Sequence, residues 1–305
     1  MERMRKLLFV VNPHAGKAAI RGQLVKILDV FVRAGWLPTV YISQRSGELP
    51  AMVAREAHRY DAVVCSGGDG TLNETLNGLM ELEHRPILGY IPAGTTNDFA
   101  ASLGIPKGMV KAAESAVEGI PVSVDVGRFG GRYFAYVAAF GAFTDVTYAT
   151  PQTYKNSLGR LAYLLEGARR LPAIKAYPLK LEYDGGETEG EFLVGLISNS
   201  SYVAGLQVSR WLDTSMSDGL MEVTLVRKPA VVHDLGRVAS NLLMGELDPE
   251  MIVTVKTRRL RITSPEPIPW TLDGEYGGTC DAVDIENLPR ALTIRVPTET
   301  LYPEE

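Results

Sequence analysis

Apolar residues in the first third of the chain follow two habits. Short apolar runs at 7–11, 39–42, 62–65 and 86–91 read as strands, the one at 62–65 as a buried strand. Between them, apolar positions recur at helical spacing. Ile20, Leu24, Ile27, Leu28 and Phe31 share one face of 18–34, which Gly35 closes, and Leu72, Leu76 and Leu79 mark a helix from Thr71. Further helical stretches cover 48–58 and 107–117. Strand and helix in alternation over the first 120 residues predict an α/β domain built on a doubly wound parallel sheet. After Pro121 the texture changes. Strand-like segments at 122–129, 133–140, 178–183, 190–198, 220–226, 252–256, 259–263, 269–272, 282–286 and 291–296 are separated by glycine turns, one of them at Gly277-Gly278. Only two helices interrupt them, at 157–170 and 230–244. The pattern predicts a second, mainly antiparallel β domain, a sandwich. The expected domains are 1–125 and 126–305, with the last residues packing back on the first and a cleft near Asp125.

Composition narrows the class. At 305 residues the chain is long enough for two cores, and no apolar stretch approaches the ~18 residues of a spanning helix. A net charge of −5 argues against general nucleic-acid binding. The apolar run after Met1 to Lys6 is five residues long and ends at Asn12-Pro13, so it reads as a strand rather than a signal peptide. Cys65 and Cys280 lie far apart, as reduced thiols of a cytoplasmic protein would, and His58, His84 and His233 lack metal-ligand spacing.

The candidate chemistry sits where strands end. In Cys65-Ser66-Gly67-Gly68-Asp69-Gly70-Thr71, a strand meets a glycine turn and a helix start. Glycines let backbone approach a phosphate, and the first helical N–H groups lack intrahelical acceptors. Asp69 would repel phosphates unless a divalent cation lay between them. The alternative is a tight βα turn with a capping Asp. Asn12-Pro13-His14-Ala15-Gly16-Lys17 opens another helix, with Lys17 able to meet a phosphate as a point charge, and Pro92-Ala93-Gly94-Thr95-Thr96-Asn97-Asp98 opens a third. All three loops follow strand carboxyl ends, where doubly wound sheets bind ligands.

Near the end of the chain, Asp273-Gly274-Glu275 places two carboxylates two residues apart, so an extended segment would point both one way. If Asp69, Asp125 and Asp273 gather around Mg²⁺, Glu275 remains as general base for an acceptor hydroxyl. The competing readings are a type I′ hairpin turn at Asp273-Gly274 and an interdomain cap at Asp125.

Taken together, the motifs make this chain resemble the soluble bacterial diacylglycerol kinases, relatives of sphingosine and ceramide kinases. The resemblance rests on Asn12-Pro13 with Gly16-Lys17, Gly67 to Glu74, Pro92 to Phe99, Val124-Asp125-Val126-Gly127, Ser217-Asp218-Gly219 and Asp273 to Gly277. It implies ATP between two domains. Nucleotide contacts carry over onto Asn12, Pro13, His14, Ala15, Gly16 and Lys17, onto Gly68, Asp69, Gly70, Thr71, Leu72, Asn73 and Glu74, and onto Thr95. Ser43 stands where the family usually has a nucleotide-contacting Thr, and His14-Ala15 where it often has Thr-Ser. The resemblance assigns Asp69, Asp125 and Asp273 to Mg²⁺, largely through water, and the base to Glu275. A structural Mg²⁺ maps onto Ser215, Asp218 and Leu220, an oxygen set suited to that ion, with an ordinary Asp-Gly turn as the alternative.

The expected activity is ATP- and Mg²⁺-dependent phosphorylation of diacylglycerol to phosphatidate. Other acceptors are phosphatidylglycerol or a sphingoid base. An NAD kinase shares the Gly-Gly-Asp-Gly-Thr loop but has a second motif, Thr-Gly-Ser-Thr-Ala-Tyr, that is absent here, and a silent nucleotide- or lipid-binding regulator would not need the base. A lipid acceptor implies a cytoplasmic protein that visits a membrane surface, and the family extends this to a homodimer. Arg169, Arg170 and Lys175, and Arg258, Arg259 and Arg261, are candidate lipid-facing cations, each worth roughly 1 kcal/mol near anionic lipid, or simply solvated faces.

Overall fold

The computed structural model describes residues 4–16, 18–141, 175–200, 202–203, 206–207, 214–229 and 248–298. The helices expected at 157–170 and 230–244 lie outside the described residues. Contacts divide the chain into two compact units: Met1–Val126, Arg132–Ala135 and Leu288–Glu305, and then Gly127–Gly131 and Tyr136–Asn287.

The first unit runs β1 (Arg5–Val11), α1 (Ile20–Arg33), β2 (Trp36–Ile42), α2 (Leu49–Glu56), β3 (Ala62–Gly67), α3 (Asp69–Met80), β4 (Ile87–Pro92), α4 (Asp98–Ser102) and α5 (Met109–Glu118). Strands β1 to β4 are parallel in the order β4-β3-β1-β2. Leu7, Phe9 and Val10 of β1 and Val63, Val64 and Cys65 of β3 are all fully buried, and consecutive burial is what unbroken apolar runs produce when both sheet faces are covered. Helix α1 supplies part of that cover through Ile20, Ile27 and Phe31, spaced seven and four residues apart. The Phe31 ring meets Phe9 edge-on at 5.1 Å, a geometry worth about 1 kcal/mol beyond area burial.

The remaining strands are β5 (Ile120–Phe129), β6 (Arg132–Phe134), β7 (Val137–Gly141), β8 (Tyr177–Tyr183), β9 (Gly186–Ser198), β10 (Tyr202–Val203), β11 (Leu206–Gln207), β12 (Met221–Arg227), β13 (Ile252–Thr257), β14 (Arg259–Leu272) and β15 (Glu275–Val296). Strand β15 starts in the second unit and ends in the first, where Ile294 pairs in parallel with Leu88 of β4. In the second unit, pairing is antiparallel. The long strands β9 and β14 each pair with β8 over one half and with β7 over the other, so the pairing closes on itself as in a sandwich whose strands switch sheets at corners. Trp270, 1% exposed, centres the core, with Phe129 and Phe140 at 5.0 Å.

Three boundaries differ from those read in the sequence. Helix α3 opens at Asp69 rather than Thr71, because Gly67 completes β3 and the turn shrinks to Gly68. Segments 259–263 and 269–272 are one strand, β14. The proline-rich stretch between them is absorbed where the register against β15 shifts between Thr263 and Ile268, a bulge that needs no ladder donors from Pro265 or Pro267. Segments 282–286 and 291–296 are likewise one strand, β15, and Gly277-Gly278 is not a turn. It sits inside β15 at a second register shift, where Trp270 faces Gly278 and Thr271 faces Tyr276.

Candidate active site

The strand order β4-β3-β1-β2 means that the chain leaves β1 toward one edge and β3 toward the other. That reversal leaves a crevice beyond the carboxyl ends of β1 and β3, the usual ligand site of such sheets. Asn12 spans it. Its backbone N–H donates to the Ser66 carbonyl (2.9 Å), its Nδ2 donates to Thr71 Oγ1 (3.0 Å), and its Oδ1 accepts from the His14 N–H (3.0 Å). One side chain thus ties the β1 loop to the first turn of α3. Lys17 lies outside the described residues.

Helix α3 opens on Gly68, which offers no side-chain cap, and the first helical bond runs from the Leu72 N–H to the Gly68 carbonyl (3.1 Å). The preceding N–H groups therefore have no acceptor within the helix and carry the positive end of its dipole, which is what an anion needs. The absent Cβ matters here because two loop backbones abut. A Cβ on Gly94 would lie 2.7 Å from the Gly68 Cα, so nothing larger than glycine lets the β3–α3 and β4–α4 loops meet.

Asp69 is half-buried at the start of α3, and its Oδ2 accepts from the Asn97 N–H (3.0 Å). Asn97 is held left-handed (φ 52°) and closes a ring on Gly94. Its Oδ1 accepts from the Gly94 N–H (3.0 Å) and its Nδ2 donates to the Gly94 carbonyl (2.9 Å). The Tyr90 hydroxyl, from inside β4, reaches the Gly67 carbonyl (3.2 Å) and Asn97 Oδ1 (3.3 Å). Burial first, then the charge of Asp69, pushes that phenol well above the ordinary tyrosine range, so it stays a neutral donor. Tyr90 was not singled out in the sequence, since a tyrosine in a buried strand reads as core. Asn97 and Asp98, the latter 3% exposed in the first turn of α4, were visible only as part of a motif.

The residues expected at the nucleotide are placed as follows among their protein neighbours. Asn73 Nδ2 donates to the Tyr133 carbonyl (3.0 Å), and Thr71 and Leu72 are buried. The Glu74 carboxylate accepts from the N–H of Gly47 (2.8 Å) at the entrance to α2. Ser43, 9% exposed at the end of β2, donates its backbone N–H to the Val11 carbonyl (2.9 Å). Pro13, Ala15 and Gly70 are half-buried, while His14, Gly16 and Thr95 are exposed.

The other carboxylates are anchored differently. Asp125, fully buried in β5, accepts from the backbone N–H of Arg290 (2.7 Å), a residue held left-handed at φ 52°, within the first unit. Asp273 and Glu275 belong to the second unit. Asp273 (φ 51°) and Gly274 (φ 83°) are both left-handed between the paired residues Leu272 and Glu275, which is a two-residue type I′ hairpin. The segment is therefore not extended, and Asp273 and Glu275 do not share one direction. Asp273 turns inward, 2% exposed, its Oδ1 accepting from the N–H groups of Tyr136 (3.0 Å) and Val137 (3.1 Å). Glu275 is exposed.

At the proposed structural metal position, Asp218 Oδ1 accepts from the Leu220 N–H (3.0 Å), as in a side-chain-closed turn. Ser215 Oγ accepts from the Ser217 N–H (3.3 Å), and the Leu220 carbonyl accepts from Asn287 Nδ2 (2.9 Å). Among the described residues no three His, Cys, Asp or Glu side chains gather as a metal cluster. Of the candidate lipid-facing cations, Arg259 pairs with Glu286 (2.9 Å), Arg261 with Asp284 (3.0 Å) and Lys175 with Glu266 (2.8 Å), while the Arg258 backbone N–H donates to Asp184 Oδ2 (3.0 Å). Arg169 and Arg170 lie outside the described residues. No helix among the described residues is long and apolar enough to cross a membrane.

Two family descriptions match the chain: the diacylglycerol kinase catalytic domain over residues 6–129, and the YegS C-terminal NAD kinase beta sandwich-like domain over 138–296. A diacylglycerol kinase of Bacillus subtilis (strain 168) is 34% identical over 299 residues, covering 97% of this chain and 98% of its own. One of Staphylococcus aureus (strain Newman) is 34% identical over 304 residues, with 99% and 96% covered. A crystal structure from Bacillus anthracis str. Sterne, provisionally named a diacylglycerol kinase, superposes with a TM-score of 0.82 at 26% identity over 98% of this chain and 99% of that one. Matched in both halves and by relatives of its own length, the chain belongs to the bacterial diacylglycerol kinases, a family of ATP-using lipid kinases.

Proposed function

We propose that the protein transfers the γ-phosphate of ATP to the free hydroxyl of diacylglycerol, giving phosphatidate and ADP at a membrane surface. The observation that carries this reading is the Gly68-Asp69 helix start at the reversal of the parallel sheet. It combines helix-start N–H groups with no acceptor inside the helix, a backbone approach open only to glycine and a carboxylate beside the expected phosphates. A carboxylate there fits a nucleotide only if a divalent cation accompanies it, and the oxygen donors of Asp69 suit Mg²⁺. When bound, that ion neutralises charge on the transferring phosphoryl group.

The chain's own residues do the rest. The α3 N–H groups and the β1 loop hold the phosphates, and Asp69 orients toward the cation's position. Asp125 and Asp273 would help hold the same cation. Glu275 takes the proton from the acceptor hydroxyl as its oxygen bonds to phosphorus, and the bond to the ADP oxygen breaks. Asp218, with carbonyl oxygens of Ser215 and Leu220, offers an all-oxygen set for a second, structural Mg²⁺.

The test is transfer of radiolabelled γ-phosphate in mixed micelles to diacylglycerol, phosphatidylglycerol and a sphingoid base. NAD joins the panel because the C-terminal match is described as NAD kinase-like. Label in phosphatidate is expected. Labelled NADP with no labelled lipid overturns the reading.

A further inference from the structure

Among the described residues, Tyr90 carries a buried hydroxyl that packing alone does not require. Tyr90 lies in the middle of β4 beside Cys65 of β3, a position where phenylalanine or an aliphatic residue would fill the same space. Its hydroxyl instead sits under the junction of the two loops that flank the phosphate site, within reach of the Gly67 carbonyl and Asn97 Oδ1. Gly67 is the last residue of β3, one step before the turn that opens α3. Asn97 is the residue whose backbone N–H fixes Asp69 Oδ2 at 3.0 Å. A single O–H, 1% exposed at the residue level, is thus shared between the strand end that launches the phosphate-binding helix and the amide that aims its carboxylate.

We infer that Tyr90 is a positioning residue for phosphoryl transfer. It locks Asn97 in its left-handed conformation against Gly94 and through Asn97 sets the carboxylate of Asp69. The inference rests on the kinase reading of this site. The Asn97 side chain already closes a ring on Gly94 through two hydrogen bonds, and the backbone at φ 52° is one that residues other than glycine adopt reluctantly. A third tether from below therefore narrows the directions in which the Asn97 N–H can point. Hydroxyl donors that stay neutral and dry make rigid tethers, because water does not compete for them.

Tyr90→Phe removes the oxygen and keeps the ring. If Tyr90 positions Asp69, the variant keeps its melting midpoint within about 3 °C, since one neutral hydrogen bond contributes little net stability. Its KM for ATP and the Mg²⁺ concentration giving half-maximal rate rise about tenfold, the scale of one misplaced charged contact. KM for the lipid acceptor stays put. In an Asn97→Gly background, which tolerates the left-handed backbone but lacks the amide, adding Tyr90→Phe has no further effect. Unchanged ATP and Mg²⁺ dependence, or equal increases in both KM values together with a falling midpoint, rejects the positioning role, as do effects that simply add in the double variant. Failure of the wild-type protein to move phosphate from ATP at all sinks the kinase reading and this inference together. An active wild type indistinguishable from Tyr90→Phe sinks only the inference.

Discussion

Asp-Gly occurs at two critical places in this chain, and the two copies fold in opposite ways. At Asp69-Gly70 both residues are helical, the carboxylate is half-buried, and one backbone N–H from a neighbouring loop meets it. At Asp273-Gly274 both residues are left-handed, the carboxylate is 2% exposed, and two N–H groups from the head of β7 share one of its oxygens. The dipeptide is the same, and the difference comes from what precedes it. Two glycines before Asp69 let a strand pass straight into a helix, whereas an antiparallel partner waiting for Glu275 demands the positive φ pair of a tight hairpin. In the proposed mechanism Asp69 faces the ligand. Asp273 holds strands, and any part it takes in catalysis is exerted from a fixed position.

That contrast can be broken by substitution. The largest effect is expected at Asp69. Asp69→Ala should lower kcat/KM by roughly 10²–10³, the range for losing one preorganised electrostatic group, while thermal unfolding shifts little; a variant that melts early but turns over normally would reverse the assignment. Asp273→Ala should lose stability as well as turnover. It strands two backbone N–H groups and should cost about 3 kcal/mol in denaturant unfolding. Asp273→Asn keeps the accepting oxygen and separates the two roles. Near-normal stability with lost activity would give Asp273 a chemical part through its charge, and normal activity would leave it an anchor. The smallest effect is at Gly274. An added Cβ meets nothing within 4 Å, so Gly274→Ala should cost only the left-handed backbone strain, about 1 kcal/mol by the same unfolding measurement.

The same contrast explains what could be read from the residues. The parallel unit was legible because β1, β3 and β4 carry apolar runs and glycine-containing loops follow their ends, both local signals. Even there the helix start was placed at Thr71, since Gly70 looked like turn when it is the first turn of a helix. The second unit was legible as antiparallel β but not in its lengths. Pro265 and Pro267 look like strand ends, and only the register with β15 shows that a bulge carries the strand past them. Gly277-Gly278 looked like the hairpin turn for the same reason. The inward turn of Asp273 depends on Tyr136 and Val137, more than 130 residues away in the chain, and no local pattern reports such a partner. Tyr90 is the extreme case, a core residue by every sequence criterion except the two oxygens its hydroxyl reaches.

The proposed division of labour between a turn that holds phosphate and a base that takes the acceptor proton is tested most directly at Glu275. Nucleotide binding and single-turnover transfer to diacylglycerol are to be measured side by side on the wild-type protein and Glu275→Gln, with the same protein sample serving both assays. The account predicts unchanged ATP affinity and loss of transfer by at least about a hundredfold, as expected for removing a general base. Transfer by Glu275→Gln at the wild-type rate would contradict it.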